Sequence, residues 1–213
     1  MRGHLRGLIL ATIAVVMCAC AADPSADKPK ATAGNVAPEA SSPKGGETEA
    51  LVITPENSKV EFVASKVTRS HNGSFKQFSG QIDLNAANVS NSRVTIDIET
   101  SSVVADDDQL TGHLKTPDFF DVAKFPKATF VSTKIEPGSA ADTYNVTGNF
   151  DLHGVKKSIA FPATIKLTPD KATVDAEFSI NRKDFGIVYA GKADDLIRDG
   201  VVIKLSLNVP RKT

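Results

Sequence analysis

Residues 144–167, YNVTGNFDLHGVKKSIAFPATIKL, decide the fold class of this chain. Apolar and polar residues alternate in two runs, one over 144–152 and the other over 159–167. Because successive side chains of a β-strand point to opposite faces, this alternation predicts two strands that each bury one face. The pair His153-Gly154 between them is a turn signal. We therefore predict a β-hairpin in this stretch.

The same alternation recurs in the segments 60–64, 94–98, 172–180 and 201–209, which polar turn residues separate. This repetition predicts an all-β domain of about eight antiparallel strands, joined mostly by short links. The pattern alone does not distinguish a sandwich from a closed barrel. A barrel is favoured because the inward faces are apolar over many strands. A barrel of that size has a lumen that side chains or one slender ligand can fill.

The N-terminus has the features of an export signal. Two arginines precede an apolar run over 8–17 that is too short to span a bilayer as a permanent helix. The run ends in MCAC at 17–20, which resembles a bacterial lipobox because the small Ala19 stands before Cys20. We predict that Cys20 carries a lipid anchor, with plain secretion as the alternative. Since Ala21 follows it, the expected location is extracytoplasmic and membrane-anchored, on the periplasmic face of the outer membrane if the cell is Gram-negative.

The segment 20–50 is rich in Ala, Pro, Ser, Gly, Lys and Glu and has no aromatic residue. It cannot bury enough apolar surface to offset its ordering entropy, so we expect a flexible, lipid-anchored linker. A cleaved pro-segment is the alternative. The predicted division of the chain is therefore a lipoprotein signal peptide at 1–19, the linker at 20–50 and one β-barrel domain at 51–213.

Composition argues against several classes of function. The formal net charge is zero at pH 7, which argues against a nucleic-acid partner. The sequence has neither the G-x-S-x-G motif of a serine hydrolase nor a glycine-rich phosphate loop, so we predict no enzyme activity and no cofactor. Both cysteines stand in the N-terminal segment, so the predicted barrel domain contains no internal disulfide.

A few polar residues are candidates for chemistry. His113 follows the acidic run Asp106–Asp108, and a lipid-modifying enzyme that uses this polar centre is the alternative to a binding function. The histidines show no HxH or HxxxH spacing, so no metal site is predicted and His113 is expected to have a structural role. His71 lies in a polar segment and is expected to be solvated. Arg182 could reach a ligand head group, but a structural ion pair or backbone hydrogen bond is favoured.

Residues 113–130, HLKTPDFFDVAKFPKATF, interrupt the series of strands and hold four of the eleven phenylalanines. We expect one or two short helices in the connection at 106–126, over Leu110–Lys115 and Asp121–Lys124. Because aromatic side chains bury large apolar areas, this connection is predicted to line or close a cavity.

Several motifs occur together in one order along the chain. They are SKVEFVASKV at 58–67, GSFKQFSG at 73–80, the sequence of 113–130, VTGNFDLHGV at 146–155 and INRKDFGI at 180–187. In this order and at this spacing they resemble the YceI-like family. The resemblance implies a lipocalin-like, eight-stranded antiparallel barrel that binds lipids or polyisoprenoids.

The leading hypothesis is that an apolar long-chain ligand lies in the barrel lumen, for sequestration, transport or stress protection. Candidate ligands are a polyisoprenoid, a quinone-like lipid or a fatty acyl lipid. Burial of apolar ligand surface is worth about 25 cal/mol per Å², so binding needs no charged partner. A structural or adhesion barrel with a filled core is a further alternative. The residues predicted to line the ligand site are Phe62, Phe75, Phe78, Ile96, Phe119, Phe120, Phe130, Phe150, Phe161 and Phe178.

Overall fold

The computed structural model describes residues 21–38 and 47–211. The strands in these parts of the chain are β1 (Glu49–Ile53), β2 (Ser58–Ser65), β3 (Ser70–Phe75), β4 (Phe78–Leu84), β5 (Arg93–Glu99), β6 (Val103–Ala105), β7 (Lys127–Pro137), β8 (Thr143–Leu152), β9 (Val155–Leu167), β10 (Lys171–Asn181), β11 (Gly191–Lys192), β12 (Asp195–Leu196) and β13 (Gly200–Pro210). One α-helix, α1 (Asp108–Leu114), and three 3-10 turns (Val89–Asn91, Thr100–Ser102 and Arg182–Phe185) accompany them. No helix within the described ranges is long and apolar enough to cross a membrane.

Eleven of the strands form one antiparallel sheet in the order β1-β4-β5-β7-β8-β9-β10-β13-β2-β3-β6. The sheet curls into a barrel because β13 pairs with β2, with Ile203 opposite Phe62. Three long stretches of extended chain are each interrupted once, between β1 and β2, between β3 and β4, and between β5 and β6. If each interrupted stretch is taken as one strand, the sheet has the eight strands that the pattern predicts. The all-β, lipocalin-like barrel is therefore confirmed, with a larger number of segments.

The hairpin predicted for residues 144–167 is formed by β8 and β9. Their register ends with Leu152 opposite Val155. His153 and Gly154 both have positive φ, 55° and 73°, as the two central residues of a type I′ turn require. This turn fixes the register that sends the alternating apolar side chains of both strands into the barrel.

The connection between β6 and β7 contains one short helix, α1. This helix begins after Asp107, whose Oδ1 accepts a hydrogen bond of 2.8 Å from the Leu110 N–H and so caps the N-terminus. The second expected helix, over Asp121–Lys124, is instead a turn in which the Phe125 N–H donates to the Asp121 carbonyl at 2.8 Å. We call the end of the barrel that carries this connection the helix end.

The barrel wall is open along part of one seam. β9 and β10 pair only from Thr164 opposite Asp175 to Leu167 opposite Ala172. Toward the helix end, β9 continues to pair with β8, and β10 continues to pair with β13. The edges of β9 and β10 therefore face an opening that runs from the middle of the barrel to its helix end.

Residues 29–37 lie across this opening, and here the structure differs from the expected flexible linker. The Ala31 N–H donates to the Ser179 carbonyl of β10, and the Gly34 N–H donates to the Ser158 carbonyl of β9, both at 2.8 Å. Ala31 is buried as part of the hydrophobic core. The composition argument missed this attachment because hydrogen bonds to unpaired strand edges require no large apolar side chains.

The predicted signal peptide at 1–19, Cys20 and residues 39–46 of the expected linker lie outside the described residues. The expectations for them stay predictions. The same holds for the division of the chain into signal peptide, linker and domain.

Candidate binding site in the barrel lumen

The lumen holds two adjoining apolar cavities. The mid-barrel cavity has a volume of about 70 Å³ and the helix-end cavity one of about 90 Å³. Both cavities share a wall made of Phe62, Phe75, Ile98, Phe150 and Ile203. The mid-barrel cavity is also lined by Val60, Glu61, Ile96, Phe130, Ile159, Phe161, Phe178 and Leu205. The helix-end cavity is also lined by Leu114, Phe119, Phe120, Ala128, Leu152, Ile180, Arg182, Ile187 and Val201.

Strand register brings these side chains together. Residues directly opposite each other on neighbouring strands share a face of the sheet. Phe62 on β2 lies opposite Ile203 on β13, and Phe130 on β7 lies opposite Phe150 on β8. The period-two pattern of each strand therefore becomes a continuous apolar surface on the inside of the barrel.

Three aromatic rings meet where the two cavities adjoin. The ring centroids of Phe62 and Phe75 are 5.9 Å apart, and the Phe120 ring lies 6.5 Å from the first and 5.5 Å from the second. Phe120 comes from the connection at the helix end, whereas the other two come from strands β2 and β3. We call Phe62, Phe75 and Phe120 the aromatic triad. Phe62 and Phe75 line both cavities, and Phe120 lines the helix-end cavity.

The structure brings most of the predicted lining residues to the cavity walls. These are Phe62, Phe75, Ile96, Phe119, Phe120, Phe130, Phe150, Phe161 and Phe178. Phe78 is the exception, because it is buried opposite Ile98 between β4 and β5 but lines neither cavity. That any of these residues contacts a ligand stays a prediction.

The aliphatic part of the wall was missed. Val60, Ile159 and Leu205 line the mid-barrel cavity, and Leu152 and Val201 line the helix-end cavity. The sequence pattern could have identified these residues. Each of them stands an even number of positions from a predicted phenylalanine, or from the residue that pairs with such a phenylalanine on the neighbouring strand. Choosing aromatic residues alone ignored that parity.

Arg182 is a buried cation at the edge of the helix-end cavity. Its Nη1 donates to the Ile187 carbonyl at 2.7 Å and its Nε donates to the Arg198 carbonyl at 3.1 Å, while Nη2 lies 3.4 Å from Asp199 Oδ1. Burial lowers the pKa of the guanidinium from its ordinary value, and the Asp199 carboxylate opposes this shift. These bonds hold the loop between β10 and β13 against the barrel. This arrangement agrees with the structural role, an ion pair or backbone hydrogen bond, that the sequence analysis favours for Arg182.

The polar centre of the enzyme alternative is not assembled. His113 Nε2 lies 2.8 Å from Asp118 Oδ2, and the His113 ring packs edge-on against Phe119 and Tyr189. It lines neither cavity. Of the acidic run Asp106–Asp108, the first member bonds to another histidine and the second caps α1. The enzyme alternative requires His113 and these acids to converge at the lumen, and the structure does not show this, because His113 and Asp106 bond to different partners.

His71 is buried in β3, and the expectation that it is solvated is wrong. Its Nδ1 lies 2.8 Å from Asp106 Oδ1, and Arg69 Nε donates to its Nε2 at 2.8 Å. Because Arg69 can only donate, we assign Nε2 as the acceptor and place the proton on Nδ1. The Asn72 N–H, at 2.8 Å from Oδ2, and then the His71 hydrogen bond lower the pKa of Asp106. This pair fastens the connection after β6 to β3.

Fold and lumen together define a lipocalin-like barrel with an apolar interior. The YceI-like domain matches residues 51–209, and the chain belongs to this family. A protein YceI of Salmonella arizonae is 36% identical over 121 residues, which are 54% of this chain and 62% of that protein. A UPF0312 protein of Pseudomonas putida is 34% identical over 125 residues, 56% of this chain and 65% of that protein. The chain thus spans slightly less than two thirds of the length of these two relatives.

Solved structures show the same fold. Burkholderia cenocepacia BcnA is 28% identical with a TM-score of 0.66, over 73% of this chain and 98% of BcnA. A polyisoprenoid-binding domain from Saccharophagus degradans, implicated in plant cell wall breakdown, has a TM-score of 0.61 over 78% of this chain and 99% of that domain. At 19% identity this second likeness concerns the fold alone. The family resemblance found in the sequence motifs is confirmed.

Proposed function

We propose that this chain binds an apolar long-chain lipid in the barrel lumen. The observation that carries the proposal is the pair of adjoining apolar cavities with a shared aromatic wall. A domain with the same fold is described as polyisoprenoid-binding, and we propose a ligand of that kind, with a quinone-like lipid or a fatty acyl lipid as the other candidates. Sequestration, transport or protection of that lipid would be the role of the protein.

The cavity volumes indicate how such a ligand would have to bind. A cavity of about 150 Å³ in another protein holds one benzene molecule, so cavities of about 70 and 90 Å³ hold only short pieces of a chain. A long chain therefore requires the aromatic triad to move and join the two cavities. Phe75 and Phe120 are both only partly buried, and Phe120 is the member we expect to move, because it comes from a connection rather than a strand.

The free energy gained by burying the ligand exceeds the cost of rotating these rings. Burial of about 300 Å² of ligand surface would be worth about 7.5 kcal/mol at 25 cal/mol per Å². Rotating buried aromatic side chains costs part of this, at about 0.5–1.5 kcal/mol for each strained rotamer. The remainder supports binding without a charged partner. We infer binding rather than catalysis, because His113 and the run Asp106–Asp108 do not converge at the lumen.

We further propose that the protein is exported and anchored through a lipid on Cys20, facing the periplasm in a Gram-negative cell. The lipobox-like sequence at 17–20 supports this. The Ala21 N–H donates to the Val67 carbonyl at 3.1 Å. An anchor on the preceding residue would thus be joined to the barrel next to the turn between β2 and β3, at the helix end.

Native mass spectrometry of the full chain, purified in mild detergent, tests the binding proposal. We expect a fraction of the protein to carry an added mass that extraction with organic solvent removes. The extracted protein should then regain mass when it is mixed with the extracted lipid. A protein that is always empty and never regains mass contradicts the proposal and favours the alternative of a structural barrel.

A further inference from the structure

Residues 29–37, which we call the strap, take the place of a missing strand pairing between β9 and β10. The Ser179 N–H of β10 donates to the Pro29 carbonyl at 2.8 Å, and the Ser179 carbonyl accepts from the Ala31 N–H. Ser158 of β9 exchanges both of its backbone hydrogen bonds with Gly34, at 2.8 and 3.2 Å. Where the two strands separate, the strap thus binds one edge and then the other.

Behind the strap lies the wall of the mid-barrel cavity. Phe161 of β9 and Phe178 of β10 stack face to face across the opening, with ring centroids 4.1 Å apart and an interplanar angle of 9°. Both rings line that cavity. Ala31 is only 6% exposed and packs with the core from the outer side. The two rings thus form the cavity wall beside the place where the strap crosses between β9 and β10.

The strap is held mainly by polar contacts. Its C-terminal end is fixed by Asn149 of β8, whose Oδ1 accepts from the Ala37 N–H at 3.0 Å and whose Nδ2 donates to the Ala37 carbonyl at 2.7 Å. Val36, its largest aliphatic side chain, is 50% exposed, and Ala31 is its one buried residue. If the strap detaches, water can replace its hydrogen bonds. Detachment of the strap therefore exposes little apolar surface of the core.

We propose that the opening between β9 and β10 is the entry route for the lipid and that the strap is its gate. This proposal rests on the proposed lipid-binding function. Release of the strap and rotation of the Phe161–Phe178 pair would connect the mid-barrel cavity to the surface through the side of the barrel. At the helix end, Leu114, Phe119 and Phe120 line the other cavity.

A reversible lock tests the gate. Gly34 and Ser158 form a hydrogen-bonded antiparallel pair, in which Cα atoms stand about 5.5 Å apart, within the range that a disulfide spans. A Cβ at residue 34 meets nothing closer than the Ser158 carbonyl oxygen at 3.9 Å. The variant is therefore Gly34→Cys with Ser158→Cys in the full chain, with the bonded cysteines verified by peptide mass spectrometry.

The measurement is stopped-flow uptake of cis-parinaric acid, a fluorescent fatty acid, by delipidated protein. We expect the oxidised variant to take up and release the probe at least about tenfold more slowly than the same sample after reduction. The equilibrium dissociation constant should change little. Wild-type protein treated with the same reductant is the control for effects of the reagent. Equal rates in the oxidised and reduced variant overturn the gate while leaving lipid binding intact.

A second variant moves the rate in the other direction. Asn149→Ala removes the clamp on Ala37 and should speed uptake, whereas Asn145→Ala, at an exposed position on the same face of β8, should not. Thermal unfolding shows whether either variant still folds, and the disulfide lock remains decisive if Asn149→Ala does not. Wild-type protein that takes up neither the probe nor its own extracted lipid would defeat both the gate and the proposed function.

Discussion

Gly73 on β3 lies directly opposite Phe62 on β2, and the Phe62 ring occupies the place where a side chain at residue 73 would begin. A Cβ there would overlap the far edge of the ring. Because Phe62 lines both cavities, the missing side chain of this glycine allows the ring to stand between them. The size of the lumen therefore depends on a residue that does not itself line it.

Gly73→Ala should shrink the lumen, because the added methyl group pushes the Phe62 ring inward. We expect a stability loss of about 1–3 kcal/mol, as for other overpacked sites. We also expect cis-parinaric acid to bind about tenfold more weakly, equivalent to about 1.4 kcal/mol. Urea denaturation and fluorescence titration measure the two effects. Gly112→Ala is the control, because a Cβ in that position of α1 has open space around it and should stabilise the helix by up to about 1 kcal/mol.

Phe120→Ala should weaken lipid binding without unfolding the barrel. Its ring contributes one edge of the aromatic triad but comes from the connection, so its loss leaves the strands paired. The same titration with cis-parinaric acid measures the loss of affinity. Phe125→Ala is the matched control, since that ring packs against His153 and lines neither cavity. If both variants bind the probe with equal affinity, Phe120 does not contribute to the binding site.

The Asp106–His71 pair predicts a specific loss of stability in acid. The pKa of Asp106 is lowered from its ordinary value of 3.8, chiefly by the Asn72 N–H. A carboxyl with a lowered folded-state pKa stabilises the protein above its unfolded pKa and loses that contribution as the pH falls through the folded value. The contribution should be below about 1 kcal/mol, because the carboxylate is partly exposed.

Asp106→Asn should remove this part of the acid sensitivity. Below about pH 4 the stability of the wild type should fall more steeply than that of the variant. Urea denaturation at a series of pH values between about 2 and 7 measures how steeply the free energy of unfolding changes with pH. This series includes the ordinary pKa of a carboxyl group, about 4. Asp97→Asn, at an exposed position on β5, should keep the acid sensitivity of the wild type. Parallel curves for the wild type and Asp106→Asn would contradict the account.

Cys20→Ser should release the protein from the membrane fraction. Acylation requires the thiol, so the variant should neither incorporate labelled fatty acid nor sediment with membranes. Cys18→Ser, two residues earlier, should leave both properties unchanged. Radiolabelled palmitate incorporation and ultracentrifugation measure them. Labelling that survives Cys20→Ser but not Cys18→Ser would move the anchor, and no labelling of the wild type would favour plain secretion.

Much of the barrel could be predicted because its determinants are local. The alternation over 144–167 and the pair His153-Gly154 specify two strands and the turn between them. The same parity placed Phe62 and Phe178 on inward faces. The break between β3 and β4 was not predicted, although Phe75 and Phe78 on its two sides are three positions apart and therefore do not keep the period of two.

The remaining features depend on partners that are distant in sequence. His71 and Asp106 are 35 residues apart, and neither carries a local sign of the other. The attachment of residues 29–37 depends on the unpaired edges of β9 and β10, which exist only in the folded barrel. The composition of this segment predicts that it forms no core of its own, but composition does not show that the segment can bind to the edges of a folded barrel.

The most direct test of lipid binding in the lumen is a crystal structure of the protein reloaded with its own extracted lipid. We predict a continuous chain of ligand density from the mid-barrel cavity to the helix-end cavity, with at least one ring of Phe62, Phe75 and Phe120 rotated away from its present position. Lipid bound only on the outer surface, with these three rings unmoved and both cavities still separate, would contradict the account.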